Sequence, residues 1–258
     1  AGIGVESTNG MLIKGGKYLE ALAKADTVVL DKTGTITTGA LSVSSVWTAE
    51  GVSEQMLLRF AASAESLSTH PVAKAIREAA GDAPEAEDIR EIAGRGIEAV
   101  VDGKKLLAGR STFLKENGVD ISQLPPCTVA IAADGRVIGG ITLADTVKPD
   151  SAAAVADMKK TGIRQVVMLT GDNESAARAV AAQVGVTDYR AGLLPQDKAQ
   201  AVEAMQGTRV FVGDGVNDAP VLAAADCGVA VGLGSQAAIE TADAVLSSGS
   251  LSLLPRAI

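Results

Sequence analysis

Residues 27–35 read Thr27-Val28-Val29-Leu30-Asp31-Lys32-Thr33-Gly34-Thr35, a short apolar run that ends on a carboxylate and passes into a Gly-containing turn. Three other stretches share this form. Val166-Val167-Met168-Leu169 runs into Thr170-Gly171-Asp172, Val210-Phe211-Val212 into Gly213-Asp214, and Gly228-Val229-Ala230-Val231 into Gly232. Runs this short, without polar alternation and bounded by Gly or Asp, suit strands buried on both faces of a parallel sheet. Between them lie helical patterns with plausible caps. Asp150 or Ser151 opens one through Lys160 that stops at Gly162, Asn173 opens another through Val184 that stops at Gly185, and a third spans about Gln196 to Gln206 before Gly207. The alternation predicts a doubly wound, Rossmann-type α/β layer. Ligands of such sheets sit beyond the carboxyl ends of the strands, so Asp31, Asp172 and Asp214 are expected to converge there.

From about Leu41 to Pro126 the alternation stops. Ser53 to Glu65 is apolar at helical spacing, and Pro71 suits the first position of a helix through Ala80. After the loop Gly81-Asp82-Ala83-Pro84, Ile89–Ala93 and Ile97–Val101 read as paired strands, and Asp102-Gly103 as a hairpin turn into Lys105–Ala108. Pro125-Pro126 marks the return, and Thr128–Ala132 with Asp134-Gly135 starts another hairpin. The expected organisation is an α/β domain in two segments, 1–40 and 127–258, interrupted by an α+β insert on an antiparallel sheet, 41–126. Two connectors, near 38–41 and 125–128, permit hinge motion.

Composition narrows the function classes. In 258 residues there are 31 Asp and Glu against 23 Lys and Arg, a net charge of -8 that argues against a nucleic-acid-binding surface. Cys127 and Cys227 lie far apart with no metal-type spacing, so buried thiols in a reducing compartment are expected. His70 is the single histidine, which limits any transition-metal site. No stretch approaches the ~18 consecutive apolar residues of a spanning helix. With neither an initial Met nor a signal peptide, the chain reads as an excised soluble piece.

The strand-end carboxylates are where chemistry is expected. Asp31, before a turn whose backbone N–H groups can cradle phosphoryl oxygens, occupies a good place for a nucleophile, carboxylates that form aspartyl phosphates being a known kind; taken alone, a strand-end Asp more often caps a loop. Gly213-Asp214-Gly215-Val216-Asn217-Asp218-Ala219-Pro220 offers two carboxylates and an amide, hard oxygen donors that suit Mg2+, or else a plain Gly/Asn/Asp turn. Thr170-Gly171-Asp172-Asn173 offers a hydroxyl and helix N-terminal amides to a phosphate, with Asn173 an ordinary cap. Lys198 can offset charge between phosphate and carboxylates.

The strings Asp31–Thr35, Thr170–Asn173 and Gly213–Pro220, in that order, resemble the signature strings of the P-type ATPases of the haloacid dehalogenase superfamily. Ala225–Leu246 follows the same pattern. The resemblance implies that Asp31 is phosphorylated, that Asp31, the Thr33 carbonyl and Asp214 hold Mg2+, and that Lys198, Thr170 and Asp218 act at the same centre. Lys32, Thr33, Gly171 and Asn217 would contact phosphate. The superfamily's phosphatases resemble one another in a second Asp two positions after the nucleophile; here that position is Thr33, which cannot serve as a general acid or base. That disfavours the alternative reading, a stand-alone phosphatase with a cap domain. A non-catalytic nucleotide-sensing module is a third reading.

Glu65-Ser66-Leu67-Ser68-Thr69-His70-Pro71, Gly94-Arg95-Gly96 and Ala108-Gly109-Arg110 resemble the nucleotide-binding domain of the heavy-metal (type IB) members. This implies an ATP site formed by Glu65, His70, Gly94, Gly96 and Arg110. Arg110 stands where the family usually has Asn. Lys148, in Asp145-Thr146-Val147-Lys148-Pro149-Asp150, stands where it usually has Arg; Asp145 and Asp150 are candidates for structural support. Gly10–Gly16 and Leu251–Ile258 resemble the exit from one transmembrane helix and the approach to the next. The implied whole is a pump at the cytoplasmic face of the cell membrane. It would move a heavy-metal cation through membrane helices missing here and work with actuator and membrane domains.

Overall fold

A computed structural model describes residues 6–8, 10–214, 218–232 and 240–258. In chain order the elements are β1 (Glu6–Thr8), β2 (Met11–Ile13), α1 (Gly16–Ala23), β3 (Thr27–Asp31), β4 (Thr37–Thr48), α2 (Glu54–Ala64), α3 (Pro71–Ala80), β5 (Ala86–Ile92), β6 (Gly96–Val101), β7 (Lys104–Gly109) and α4 (Ser111–Glu116). They continue with β8 (Val129–Ala133), β9 (Arg136–Val147), α5 (Ser151–Lys160), β10 (Gln165–Leu169), α6 (Glu174–Val184), β11 (Asp188–Arg190), α7 (Pro195–Glu203), β12 (Arg209–Gly213), α8 (Ala219–Ala224), β13 (Cys227–Val231) and β14 (Ala244–Leu246). The chain forms two compact units, 1–39 with 146–258, and 40–145.

The first unit is the expected doubly wound layer. Its sheet has the order β1-β2-β14-β13-β12-β3-β10-β11, parallel from β14 to β11, with β2 and β1 added antiparallel at one edge. Every residue of β3 is buried, and alternate side chains feed two cores. Val28, Leu30, Val166, Met168, Val210 and Val212 fill one face; Val29, Val167, Leu169, Phe211 and Ala230 fill the other. That two-sided burial is why these strands read as unbroken apolar runs. The caps of α6 act as the residues require, whereas Asp150 precedes α5 without a side-chain cap bond. Asn173 Oδ1 accepts from the Ala176 N–H at 3.0 Å, and Gly185 closes α6 in the left-handed region.

Topology then places the chemistry. The chain leaves β3 with β10 on one side and β12 on the other, so the strand order changes direction at β3. Leu169 pairs with Asp31 and Val212 with Leu30, which sets Asp31, Thr170 and the Gly213-Asp214 turn at one level at the carboxyl edge.

The second unit is a six-stranded antiparallel sheet, β4-β9-β8-β7-β6-β5. α2 and α3 cover one face through Leu57, Phe60 and Ile76 against Ile97, Val101, Leu106 and Ile131. Phe113, Leu114 and Val119 cover the other, against Ala130 and Ala132. The expected return near 125–128 is corrected here. Pro125-Pro126 belongs to a loop inside this unit, and the chain stays in its sheet through β8 and β9 until residue 145. The second segment of the α/β unit therefore starts at Thr146 rather than 127. The thiols also differ from expectation in part: Cys227 is buried, with burial pushing its thiol up to about 12, whereas Cys127 is only half-buried. Among the described residues, no helix is long and apolar enough to cross a membrane.

Candidate active site

Asp31 ends β3 and is 5% exposed. The turn after it is wide: Thr37 closes it by donating from both its backbone N–H and, at 2.9 Å, its hydroxyl to the Lys32 carbonyl. Within that turn Gly34 has φ +76, a left-handed conformation open to glycine at no steric cost. A Cβ at Gly34 would lie 2.8 Å from Asp214 Oδ2, so the Asp214 carboxylate packs directly against this α-carbon. Only a glycine admits both the conformation and the approach.

α7 brings Lys198 to the carboxyl edge. Its Nζ donates to Asp31 Oδ1 at 2.5 Å and reaches Asp218 Oδ1 at 3.5 Å. Both ion pairs are largely dry, the Lys198 side chain being 13% exposed. Burial pushes the Asp31 carboxyl up to about 6, the Asp218 carboxylate adding to the shift while Lys198 opposes it. Burial raises Asp218 as well, Lys198 pulling it back and Asp214 pushing it up. Burial would pull the Lys198 ammonium down, but Asp31 and Asp218 together outweigh that and hold it above its usual value.

Thr170 is buried at the end of β10, and its hydroxyl accepts from the Asp172 N–H at 3.0 Å. Asp172 Oδ2 lies 3.0 Å from the Lys32 ammonium, a pair that ties the turn after Asp31 to the 170–173 loop. Thr33 is exposed, and Gly171 sits on the exposed rim of the same edge. Asn217 lies outside the described residues.

Asp31 and Asp218 share the Lys198 ammonium, and Asp214, packed against the Gly34 α-carbon, lies near enough to raise both carboxyls, so hard carboxylate oxygens line this edge. Among the described residues no three His, Cys, Asp or Glu side chains gather into a complete cage. Mg2+ does not need one, because it is held through one or two carboxylates plus phosphate oxygens and water. The donor set fits that ion.

The second unit has its own cavity, of about 300 Å³. Glu65, His70, Gly94, Gly96 and Arg110 all line it. Glu65 caps the end of α2 and is 8% exposed, its carboxyl raised by burial and then by Glu91. His70 caps α3: Nδ1 accepts from the Val72 N–H at 3.2 Å, so in the neutral ring Nε2 carries the proton and is free to donate. Gly94 turns with φ +71, and at Gly96 a Cβ would lie 2.7 Å from the Phe113 ring and closer still to the Ala108 carbonyl. Glu91 and Arg95 also line this cavity, which the sequence reading did not anticipate. Arg95 stands between the two glycines already singled out, which is the signal that could have found it.

A side chain at position 96 therefore has to displace the Phe113 ring or push β6 from β7, and either moves the wall of this cavity. For Gly96→Val we expect nucleotide affinity to fall about tenfold or more, the usual scale of overpacking. Calorimetric titration with ATP checks this; unchanged affinity would remove this cavity from the nucleotide reading.

A doubly wound parallel unit with a buried Asp at the end of a central strand, its chain interrupted by an insert, defines the class. Residues 25–226 match the family of haloacid dehalogenase-like hydrolases, and the chain belongs to that family. More particular likenesses are to heavy-metal pumps. The chain is 45% identical to a zinc-transporting ATPase of Synechocystis sp., over all of this chain and 37% of that protein. It is also 45% identical to a cadmium, zinc and cobalt-transporting ATPase of Bacillus subtilis, over all of this chain and 38% of that protein. Among solved structures, a zinc-transporting PIB-type ATPase in an E2.Pi state matches with TM-score 0.85 and 38% identity, covering 96% of this chain and 43% of that one. The catalytic domain of the CPx-ATPase CopB-B matches with TM-score 0.71 and 29% identity, covering 96% and 95%. The chain thus spans less than two-fifths of the length of these two curated relatives.

Proposed function

We propose that this chain is the ATP-hydrolysing part of a heavy-metal cation transport ATPase and that Asp31 is its phosphoryl acceptor. The observation that carries the reading is the buried Asp31–Lys198–Asp218 cluster at the carboxyl end of β3. The ATP base would be held by Glu65, His70, Gly94 and Gly96, with Arg110 at the rim. A carboxylate oxygen of Asp31 attacks the γ-phosphorus, the bond from that phosphorus to the bridging oxygen breaks, and ADP leaves. Lys198 offsets the charge gathered by the transferred group, and Thr170, Gly171, Asn217 and the turn amides of Lys32 and Thr33 position its oxygens. Asp31, the Thr33 carbonyl and Asp214 would hold Mg2+, which when bound supplies charge neutralisation between carboxylates and phosphate.

Thr33 sets the fate of the acyl phosphate. With no carboxylate two positions after Asp31, no general base activates water, and the intermediate persists long enough to be used. In a whole pump at the cytoplasmic face of the membrane, membrane and actuator domains would use it to move the cation.

The test is incubation with Mg2+ and ATP labelled in the γ-phosphoryl, followed by acid quench. Label on Asp31, stable in acid and released by hydroxylamine, is the expected result. Label on another residue, or none alongside rapid hydrolysis of small phosphomonoesters without nucleotide preference, would overturn the reading and leave a phosphatase with a cap.

A further inference from the structure

The segment between β9 and α5, Lys148-Pro149-Asp150-Ser151, touches two places at once. Toward the turn after Asp31 it makes three hydrogen bonds. Lys148 Nζ donates to the Gly34 carbonyl at 2.8 Å, the Lys148 N–H to the Ile36 carbonyl at 3.0 Å, and Ser151 Oγ to the same Ile36 carbonyl at 2.8 Å. Toward residues 249–252 it makes three more. The same Lys148 Nζ donates to the Gly249 carbonyl at 3.1 Å, and Asp150 Oδ2 accepts from Ser250 Oγ at 2.5 Å and Ser252 Oγ at 3.2 Å. Pro149 stiffens the joint between the two grips.

The Gly34 carbonyl matters because of what it fixes. A trans peptide points its C=O and the following N–H in opposite directions, so holding the Gly34 oxygen on Lys148 fixes the direction of the Thr35 N–H. The Gly34 α-carbon is meanwhile backed by the Asp214 carboxylate. The turn is thus held on one side by Asp214 and on the other by Lys148.

We infer that Lys148 is a positioning residue for phosphoryl transfer, and that its ammonium, shared between the Gly34 and Gly249 carbonyls, makes residues 249–252 follow the conformation of the Asp31 turn. The first half of this rests on Asp31 being the phosphoryl acceptor; the shared hydrogen bonds do not. An ammonium has three donors and can hold two carbonyls at once, whereas an apolar chain of the same length holds neither. Lys148→Met should therefore release both segments together.

The experiment is amide hydrogen exchange by mass spectrometry on the whole chain, reading peptides that cover 34–37 and 249–254. Without ligand, Lys148→Met is expected to speed exchange in both peptides by about tenfold, the scale of one lost charged hydrogen bond. Lys148→Arg should restore both, since it keeps charge and donors. Faster exchange in only one peptide, or in neither, would overturn the shared grip. Adding Mg2+ with beryllium fluoride, an aspartyl-phosphate mimic, should slow exchange at both peptides in the wild type. In Lys148→Met it should slow only 34–37. A response at 249–254 that survives in Lys148→Met overturns the coupling. No response at 34–37 in the wild type counts against Asp31 as acceptor, and the ligand-free comparison still decides the grip. If Lys148→Met folds poorly by its melting curve, Lys148→Gln, which keeps a donor on a shorter arm, replaces it; wild-type exchange at both peptides in that variant would equally overturn the inference.

Discussion

In Asp31→Asn, incorporation of the γ-phosphoryl from ATP falls below detection while nucleotide affinity stays within about twofold of wild type. An amide in this position offers no charged oxygen to attack phosphorus, and Glu65, His70, Gly94 and Gly96 stand in the other unit. The same variant carries a stability prediction of opposite sense. The folded-state carboxyl of Asp31 is raised to about 6 from 3.8, chiefly by burial. A raised carboxylate means that the folded protein binds the proton more tightly than the unfolded chain does. Folding stability is then full below about pH 4 and is lost as pH climbs through about 6. Asn escapes that loss. In EDTA at neutral pH, Asp31→Asn should be more stable than wild type by about 1–3 kcal/mol, and the gap should close near pH 4. Denaturant titrations at the two pH values measure both ends. Equal labelling of variant and wild type would remove Asp31 as acceptor. A less stable variant at neutral pH would mean that the Lys198 contact outweighs burial.

How far the residues spoke for themselves depended on how they are buried. β3, β10, β12 and β13 announced themselves because strands covered on both faces must be apolar throughout, and the chain order of the turns followed. α2, α3 and α6 open on residues whose side chains cap them, while α5 was legible from its apolar spacing alone, Asp150 turning its carboxylate to Ser250 and Ser252 instead. β4 and β9 were not. β4 is rich in Ser and Thr with most positions half-buried or exposed, so its pattern carries little contrast. β9 contains Gly139-Gly140, which reads as a break. The glycines are there because neighbours press on the backbone: a Cβ at 139 would meet Leu57 and the Trp47 carbonyl, and one at 140 the Cys127 sulfur. Reading Pro125-Pro126 as the return to the α/β unit moved the boundary from 145 to 126.

The two sites divide the same way. Residues whose type is required, such as a terminal Asp or a Gly under close approach, could be singled out in the sequence. Lys148 could be seen only as a cation in an unusual place, because what it holds are carbonyls, and a backbone acceptor leaves no mark on the sequence. Lys32 was expected to serve phosphate, yet its ammonium lies on Asp172.

Lys198→Met should lower the rate of phosphoenzyme formation by about 10²–10³-fold, the range seen when a preorganised charge opposite a developing anion is lost. It should also weaken the fold, because Asp31 and Asp218 are then left buried and facing one another without their cation. These two effects separate by pH. Losing Lys198 removes what holds both carboxyls down, so each takes up a proton at a higher pH than in the wild type. Protonation relieves the repulsion, and the melting temperature of the variant should climb back toward wild type as pH falls from 7 to 5. Phosphorylation should not recover over that range, since the missing positive charge is not replaced and a protonated Asp31 is a poorer nucleophile. If labelling returned in step with stability, Lys198 would be a structural counter-ion alone. If labelling stayed low in protein that is fully folded at pH 5, the ammonium would be acting on the transferred phosphoryl group itself.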